Sequence, residues 1–299
     1  MKSNKKIIIS ASRRTDIPAF YMNDFMKGIR QGFFSLTNPF NQKQSVVSAT
    51  PDIVDTIVFW SKDYTDFIKR RFIQILQKSG YHLFFNYTIN SEDLILEPGL
   101  PPLNQRLAQL EILSKTVGPE AVFWRFDPIC HYRLADGKIR HNCQDFLKIA
   151  DAASDLGVRY CITSFLDLYN KIKKRVTSLP GFSFIDPPLD TKTGILCEMA
   201  KQLKKRDISL MTCCEPQVLK SVAPNSGIRA SSCIPNHYLA KLYGSDISLR
   251  KDSGQRIKNG CGCRISVDVG SYRHQPCYHN CLFCYANPKE PVKSINHEH

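Results

Sequence analysis

Residues 56–89 read TIVFWSKDYTDFIKRRFIQILQKSGYHLFFNYTI, and their pattern carries the fold. Two β-branched and aromatic runs, 56–61 and 82–89, flank a longer stretch, 64–79. In that stretch Phe67, Phe72, Ile73, Ile75 and Leu76 recur at helical spacing among Lys and Arg. The unit predicts strand, helix, strand. The same alternation runs outward on both sides. Strands are predicted at 6–11, 33–38, 56–61, 82–89, 120–127, 158–165 and 208–214, with a weaker eighth near 228–233. Helices are predicted at 20–31, 64–79, 103–116, 143–156, 191–205 and 235–243. Strand alternating with helix seven or eight times predicts an α/β fold, a TIM-like (β/α) barrel with a parallel sheet. An open doubly wound sheet is the alternative. No G-x-G-x-x-G follows the first strand, which removes the usual dinucleotide-binding version of that sheet.

The alternation stops near residue 244. A barrel is therefore expected over 1–244, with 245–299 as a cysteine-rich, metal-binding extension packed on its mouth. The extension is polar and rich in Gly and Cys, and it cannot bury a core alone. The chain as a whole has 299 residues, 42% of them hydrophobic, which is enough for a sizeable core. No run of 18 apolar residues exists to span a membrane. The start, Met-Lys-Ser-Asn-Lys-Lys before Ile7-Ile8-Ile9, is too short in apolar residues for a signal peptide. A cytoplasmic protein with no membrane partner is expected. The formal net charge of +14 admits an anionic partner, nucleic acid included. Much of that charge, as in Lys69-Arg70-Arg71 and Lys204-Lys205-Arg206, falls on amphipathic helices, where it solvates a face.

Twelve cysteines are many for a chain whose thiols stay reduced, so metal ligation or catalysis is expected rather than disulfides. Cys130, Cys143, Cys161 and Cys197 lie in apolar segments and read as core. The sharpest signal is Cys277-Tyr278-His279-Asn280-Cys281-Leu282-Phe283-Cys284, a C-x3-C-x2-C spacing. Three thiolates on so short a loop can each take one iron of a [4Fe–4S] cube and leave the fourth open. A zinc site using these three and Cys261 or Cys263 competes, although zinc ribbons pair their ligands as C-x2-C. Cys213 or Cys214, with Cys233, Cys261 and Cys263, would meet at the adjoining seventh and eighth loops. Cys213, Cys233, Cys261 and Cys263 are expected as a second site, for another Fe–S cluster or Zn2+. Unliganded buried thiols are the plainer alternative. Asp252, Gln255, Arg256 and Asp268 are expected to brace this segment.

In a barrel the active site lies where the strands end. Ser12, Arg13, Arg14 and Asp16 follow the first strand, Asn38 the second, Lys62 the third and Thr88 the fourth. Arg125 and Asp127 share one face of the fifth, and Ser164 closes the sixth. Together they could hydrogen-bond an amino-acid or nucleoside ligand. Arg125, Asp127, Lys62 and Asp16 are the catalytic candidates. Ser12, Arg13, Arg14, Asn38, Thr88 and Ser164 are candidates for holding a cofactor. Plainer roles exist: Asp16 or Ser12 could cap a helix, and Arg125 with Asp127 could be a structural ion pair.

The C-x3-C-x2-C motif, with Phe283 just before its last cysteine, resembles the radical S-adenosylmethionine signature. The resemblance implies that Phe283 packs beside the adenine and that S-adenosylmethionine chelates the open iron. It implies one electron from an external donor such as flavodoxin or ferredoxin. That electron cleaves the sulfonium to methionine and a 5′-deoxyadenosyl radical, which takes a hydrogen from a small-molecule substrate, anionic or nucleotide-like. A (β/α) barrel is the fold of that superfamily. Its usual pattern puts the cysteines after the first strand, where this chain has Ser12-Arg13-Arg14-Thr15-Asp16, and no Gly-Gly-Glu run is evident. The chain also resembles a prokaryotic family, domain of unknown function 1848. The matching segments are SASRRTDIPAFY at 10–21, NPFN at 38–41, FWSK at 59–62, WRFDP at 124–128, SFLDLY at 164–169 and the stretch 260–286. That resemblance implies that the C-terminal cysteine motif is a family feature. The expected function is a radical S-adenosylmethionine-type enzyme. A metal-stabilised nucleic-acid-binding protein without radical chemistry is the alternative.

Overall fold

The computed structural model describes residues 5–11, 13–37, 41–252 and 260–286. Its strands in chain order are β1 (Ile7–Ala11), β2 (Phe33–Thr37), β3 (Gln44–Ser48), β4 (Val54–Ser61), β5 (His82–Thr88), β6 (Val122–Ile129) and β7 (His131–Arg133). They continue as β8 (Ile139–His141), β9 (Tyr160–Phe165), β10 (Ser183–Ile185), β11 (Ser209–Thr212), β12 (Arg229–Ala230) and β13 (Val267–Asp268). The helices are α1 (Ile17–Phe20), α2 (Met22–Gln31), α3 (Thr65–Lys69), α4 (Phe72–Lys78) and α5 (Leu103–Val117). After them come α6 (Phe146–Asp155), α7 (Asn170–Val176), α8 (Leu189–Lys204), α9 (Pro216–Ser221) and α10 (Asn236–Tyr243).

Eight strands form one sheet in the order β12-β11-β9-β6-β5-β4-β1-β13, every pair parallel. From β1 to β12 the order follows the chain, so each connection crosses over to the next parallel strand. Both faces are covered, which is why β4 is buried at every position except Trp60 and reads as a nearly continuous apolar run. Alternate residues divide the core. Ile57, Phe59, Leu83, Phe85, Val122 and Trp124 pack outward against the helices. Ile8, Val58, Phe84, Phe123 and Ile162 face the other way and share one cluster with Ile234, Leu239 and Ile247. No strand pairing joins β12 to β13 among the described residues, so the ladder is open there.

Four expectations change. The strand predicted at 33–38 is β2, which pairs antiparallel with β3 in a separate ribbon. One of its faces, Phe33, Ser35 and Thr37, is exposed and the other, Phe34 and Leu36, is only half-buried, so it lacks the two buried faces of a strand in the parallel sheet. The eighth strand of the large sheet is β13, from the cysteine-rich tail, bonded to β1. The helix predicted at 64–79 breaks in two at Arg71, whose φ is +58°. Cys197 is exposed rather than core. Two surface grooves, lined by residues such as Pro51, Tyr81 and His82, open at the N-terminal end of the sheet. No helix among the described residues is long and apolar enough to cross a membrane.

Candidate functional site

The loop carrying Cys277, Cys281 and Cys284 is fastened to segments that follow β1, β5 and β9. After β1, the Tyr21 hydroxyl donates to the Pro276 carbonyl (2.6 Å) and Asp16 Oδ2 meets His279 Nε2 (2.8 Å). After β5, the Leu282 N–H donates to Leu96 O (2.8 Å) and the Gly99 N–H to His279 O (3.1 Å). After β9, Arg175 Nη1 donates to the carbonyls of Cys281 (3.1 Å), Leu282 (3.1 Å) and Cys284 (2.8 Å). The motif thus lies across the C-terminal ends of the parallel strands. Asp16 is fully committed here. It also accepts from the Ala19 N–H as the cap of α1, from Ser61 Oγ and from the Lys62 N–H. Its role is to cap and anchor, as the plainer expectation held.

The loop's local chemistry suits thiolate ligands. Cys284 Sγ accepts the Ala286 N–H (3.3 Å), and Cys277 accepts a backbone hydrogen bond from His279. Amide donors aimed at sulfur stabilise the anionic form. Asn280 adopts the left-handed conformation (φ +54°), which the chain needs to turn between them and which Asn tolerates. Burial, helped by the Asp16 charge, pushes the Cys277 thiol up to about 12. Burial also lifts Cys281 well above the ordinary thiol range, against the Lys62 charge. A metal cation taken up by these sulfurs would therefore have to displace their protons. No three His, Cys, Asp or Glu side chains among the described residues converge on one point as a single ion would need. Three thiols on one short loop are a donor set that a four-iron cube can use, one sulfur to each of three irons.

From Cys281 a polar chain crosses the strand ends. Glu97 Oε1 lies 3.9 Å from Cys281 Sγ and 2.5 Å from Lys62 Nζ. The Lys62 ammonium sits 5.2 Å from the centre of the Phe283 ring, which is itself buried with Leu96 and Tyr132. Asn90 Nδ2 donates to Glu97 Oε2 (3.3 Å), and Asn90 Oδ1 accepts the Asp127 N–H (2.8 Å). Arg125 Nη2 donates to Asp127 Oδ2 (2.5 Å), while Ser164 Oγ donates to Asp127 Oδ1. Arg125 Nη1 then reaches Cys233 Sγ at 3.4 Å.

Cys233 belongs to a ring of five thiols. Cys213 Sγ is 3.5 Å from Cys233 Sγ and 3.8 Å from Cys214 Sγ. Cys263 lies beside Cys233 and Cys261, and Cys261 beside Cys214, which closes the ring. Cys214 has φ +60°, so its side chain turns back toward that of its neighbour. Hydrogen bonds from Cys213 and Cys263, then the charges of Arg125 and Arg13, hold the Cys233 thiol well below its ordinary range. Arg13 in turn binds the tail. Its N–H donates to Asp268 Oδ2 (2.8 Å), and its guanidinium faces Asp268 (3.6 Å) and Asp252 (3.7 Å). Arg14 donates to Gly270 O (3.0 Å).

The sequence matches the family described as a domain of unknown function (DUF1848) over residues 8–286. The chain belongs to this family. No curated protein matches it. The matched span contains both thiol groups, so the DUF1848 unit includes the tail as well as the sheet.

Among the residues singled out in the DUF1848 sequence, Lys62, Arg125, Asp127 and Ser164 meet at the strand ends, between the two thiol groups. Thr88 is buried at the end of β5. Arg13 and Arg14 hold the tail, with Asp252 and Asp268 bracing it as expected. Ser12, Asn38, Gln255 and Arg256 lie outside the described residues. Sequence reasoning missed Asn90, Glu97, Arg175 and His279 as working parts. His279 carried a signal, because it stands inside the motif. Glu97 and Arg175 carried none, since each sits in a stretch with ordinary loop or helix composition.

Proposed function

We propose that the DUF1848 chain is an iron–sulfur enzyme of the radical S-adenosylmethionine type, with Cys277, Cys281 and Cys284 as its cluster ligands. The observation that carries this reading is the position of the C-x3-C-x2-C loop across the C-terminal strand ends, tied to the segments after β1, β5 and β9. That is where α/β enzymes with parallel strands keep their chemistry. Bound there, a [4Fe–4S] cluster with S-adenosylmethionine supplies one-electron cleavage of a sulfonium and removal of a substrate hydrogen.

The chain's own residues have assigned tasks in this reading. Arg175 and His279 hold the loop in register. Lys62 sets a positive charge beside Cys281 while neutralising Glu97. Asp127, fixed by Arg125, Ser164 and Asn90, presents an oriented carboxylate to an amino or hydroxyl group of a ligand. The sheet is read as the curled wall of a (β/α) barrel. Two facts support this: the strand order follows the chain, and one inward cluster joins β1, β4, β5, β6 and β9 to α10. A flavodoxin or ferredoxin would supply the electron, the substrate would be small or anionic, and the setting would be cytoplasmic. Anaerobic reconstitution with iron and sulfide, followed by dithionite and S-adenosylmethionine, tests the reading. Release of 5′-deoxyadenosine and methionine is expected. A fully loaded cluster that leaves S-adenosylmethionine intact would overturn it.

A further inference from the structure

The five-thiol ring has its own geometry, and it differs from that of the loop. Zinc or ferrous iron bound by four thiolates at about 2.3 Å places neighbouring sulfurs about 3.8 Å apart on the tetrahedron's edges. The Cys213–Cys233 separation, 3.5 Å, lies close to that spacing. We infer that Cys213, Cys233, Cys261 and Cys263 bind one tetrahedral divalent ion, zinc or ferrous iron, as a centre separate from the Cys277–Cys284 loop.

The charges beside the ring are compatible with the assignment, with both cations also carrying carboxylate partners, Asp127 for Arg125 and Asp268 with Asp252 for Arg13. Four thiolates on a divalent ion leave two negative charges to be balanced inside the protein. Two guanidinium groups face the ring. Arg125, whose side chain is 6% exposed, donates to Cys233 Sγ. Arg13 acts on Cys233 and Cys263, and its Nη1 is buried with no hydrogen-bond partner. An independent feature is Gly262, between the two cysteines of the C-x-C pair. A Cβ there would lie 2.7 Å from both Ser231 O and Ser232 Oγ, so only glycine lets this pair reach the thiols that follow β11 and β12. Ser232 Oγ also donates to Gly262 O (2.6 Å), and Asn86 Nδ2 donates to Cys233 O (3.2 Å). As described, no three of these sulfurs converge on one point. Binding exchanges the thiol protons for the ion and draws the ring inward. Cys214, the fifth thiol, stays outside the coordination sphere.

The test uses the full chain carrying Cys277→Ser, Cys281→Ser and Cys284→Ser, which removes the first centre. Elemental analysis of this variant should return about one zinc or iron per chain, and cobalt should saturate at the same stoichiometry with a tetrahedral thiolate spectrum. Adding Cys261→Ser and Cys263→Ser should abolish binding. Arg125→Met should weaken it about 10–100-fold, as loss of an outer partner does. Alkylation mapping of the wild-type chain guards against misfolded variants. Cys213, Cys233, Cys261 and Cys263 should be protected until a chelator is added, while Cys197 reacts throughout. Labile sulfide in the triple variant would show a cluster instead and overturn the mononuclear centre. So would equal alkylation with and without chelator, or an absence of bound metal in the triple variant.

Discussion

The two thiol groups are built in opposite ways. Cys277, Cys281 and Cys284 come from eight consecutive residues, and the fold only has to dock the finished loop. The ring takes Cys213 and Cys214 from the end of β11, Cys233 from beyond β12, and Cys261 with Cys263 from the tail. Neither β12 nor the tail has much structure of its own, so the ring exists only where the sheet brings them together. Their counter-charges differ as well. The loop faces an ammonium paired with Glu97, whereas the ring faces guanidinium groups, also paired with carboxylates, that can donate along fixed directions. A site made from local spacing can be lost without loss of the fold. A site made by the fold is coupled to it.

Cys281→Ser gives the largest contrast. Iron and sulfide bound after reconstitution should fall to background, while the metal-free chain loses only about 1–3 kcal/mol for the hydroxyl buried among Leu96, Leu282 and Phe283. Iron content paired with urea denaturation checks both parts. Cluster retention at the wild-type level would break the assignment of Cys281 as a ligand.

Next in size is Lys62→Met. The Glu97 side chain is 3% exposed, and its only cationic partner among the described residues is Lys62, itself 18% exposed. Leaving that carboxylate unpaired should cost about 3–5 kcal/mol. Glu97→Gln on the same background should recover much of the loss. A shift of only a few tenths of a kcal/mol would mean that the pair is solvated and that the loop thiols lack the positive neighbour assigned to them.

These two sites also show what a sequence can carry. C-x3-C-x2-C is legible because its geometry is its spacing. The strands are legible because burial on both faces makes apolar runs, and seven of the eight predicted ones lie in the large sheet. β2 misled because aromatic residues such as Phe33 and Phe34 suggest a strand without saying which sheet it joins. β13 was invisible, since two residues pairing with β1 leave no periodic trace. Cys213, Cys233, Cys261 and Cys263 could be grouped only by assuming the order of the strands. Cys213 and Cys214 stood as alternatives at that position, and the left-handed backbone at Cys214 (φ +60°) brings both to the ring.

A pair of glycine substitutions sharpens the contrast at intermediate size. A Cβ on Gly99 would meet His279 O at 2.7 Å and His279 Cα at 2.9 Å, both in the loop backbone. Gly99→Ala should therefore cost about 1–3 kcal/mol by forcing the cluster loop away, and it should lower cluster iron while sparing the second centre. Gly262→Ala should do the converse. Chemical denaturation and separate assays for labile sulfide and zinc measure all four effects. If both variants lose both metals in proportion, the two sites are one cooperative unit.

The smallest effect concerns a thiol in neither group. Cys161 is fully buried in the core, and burial pushes its pKa well above the ordinary range, against a backbone hydrogen bond at Phe126 and the Arg125 charge. In the unfolded chain the same thiol ionises from about pH 8.5 upward. Above that pH the unfolded state binds fewer protons than the folded one, so stability contributed by this group is complete at lower pH and declines as pH rises. The slope from one such thiol is about 1.4 kcal/mol per pH unit. Cys161→Ala should flatten the decline in unfolding free energy between pH 9 and pH 10 by that amount. Urea titrations under reducing conditions give the slope. If the substitution leaves it unchanged, Cys161 already ionises in the folded chain. Burial would then fail to hold the proton on a thiol that belongs to neither group, the simplest case for it.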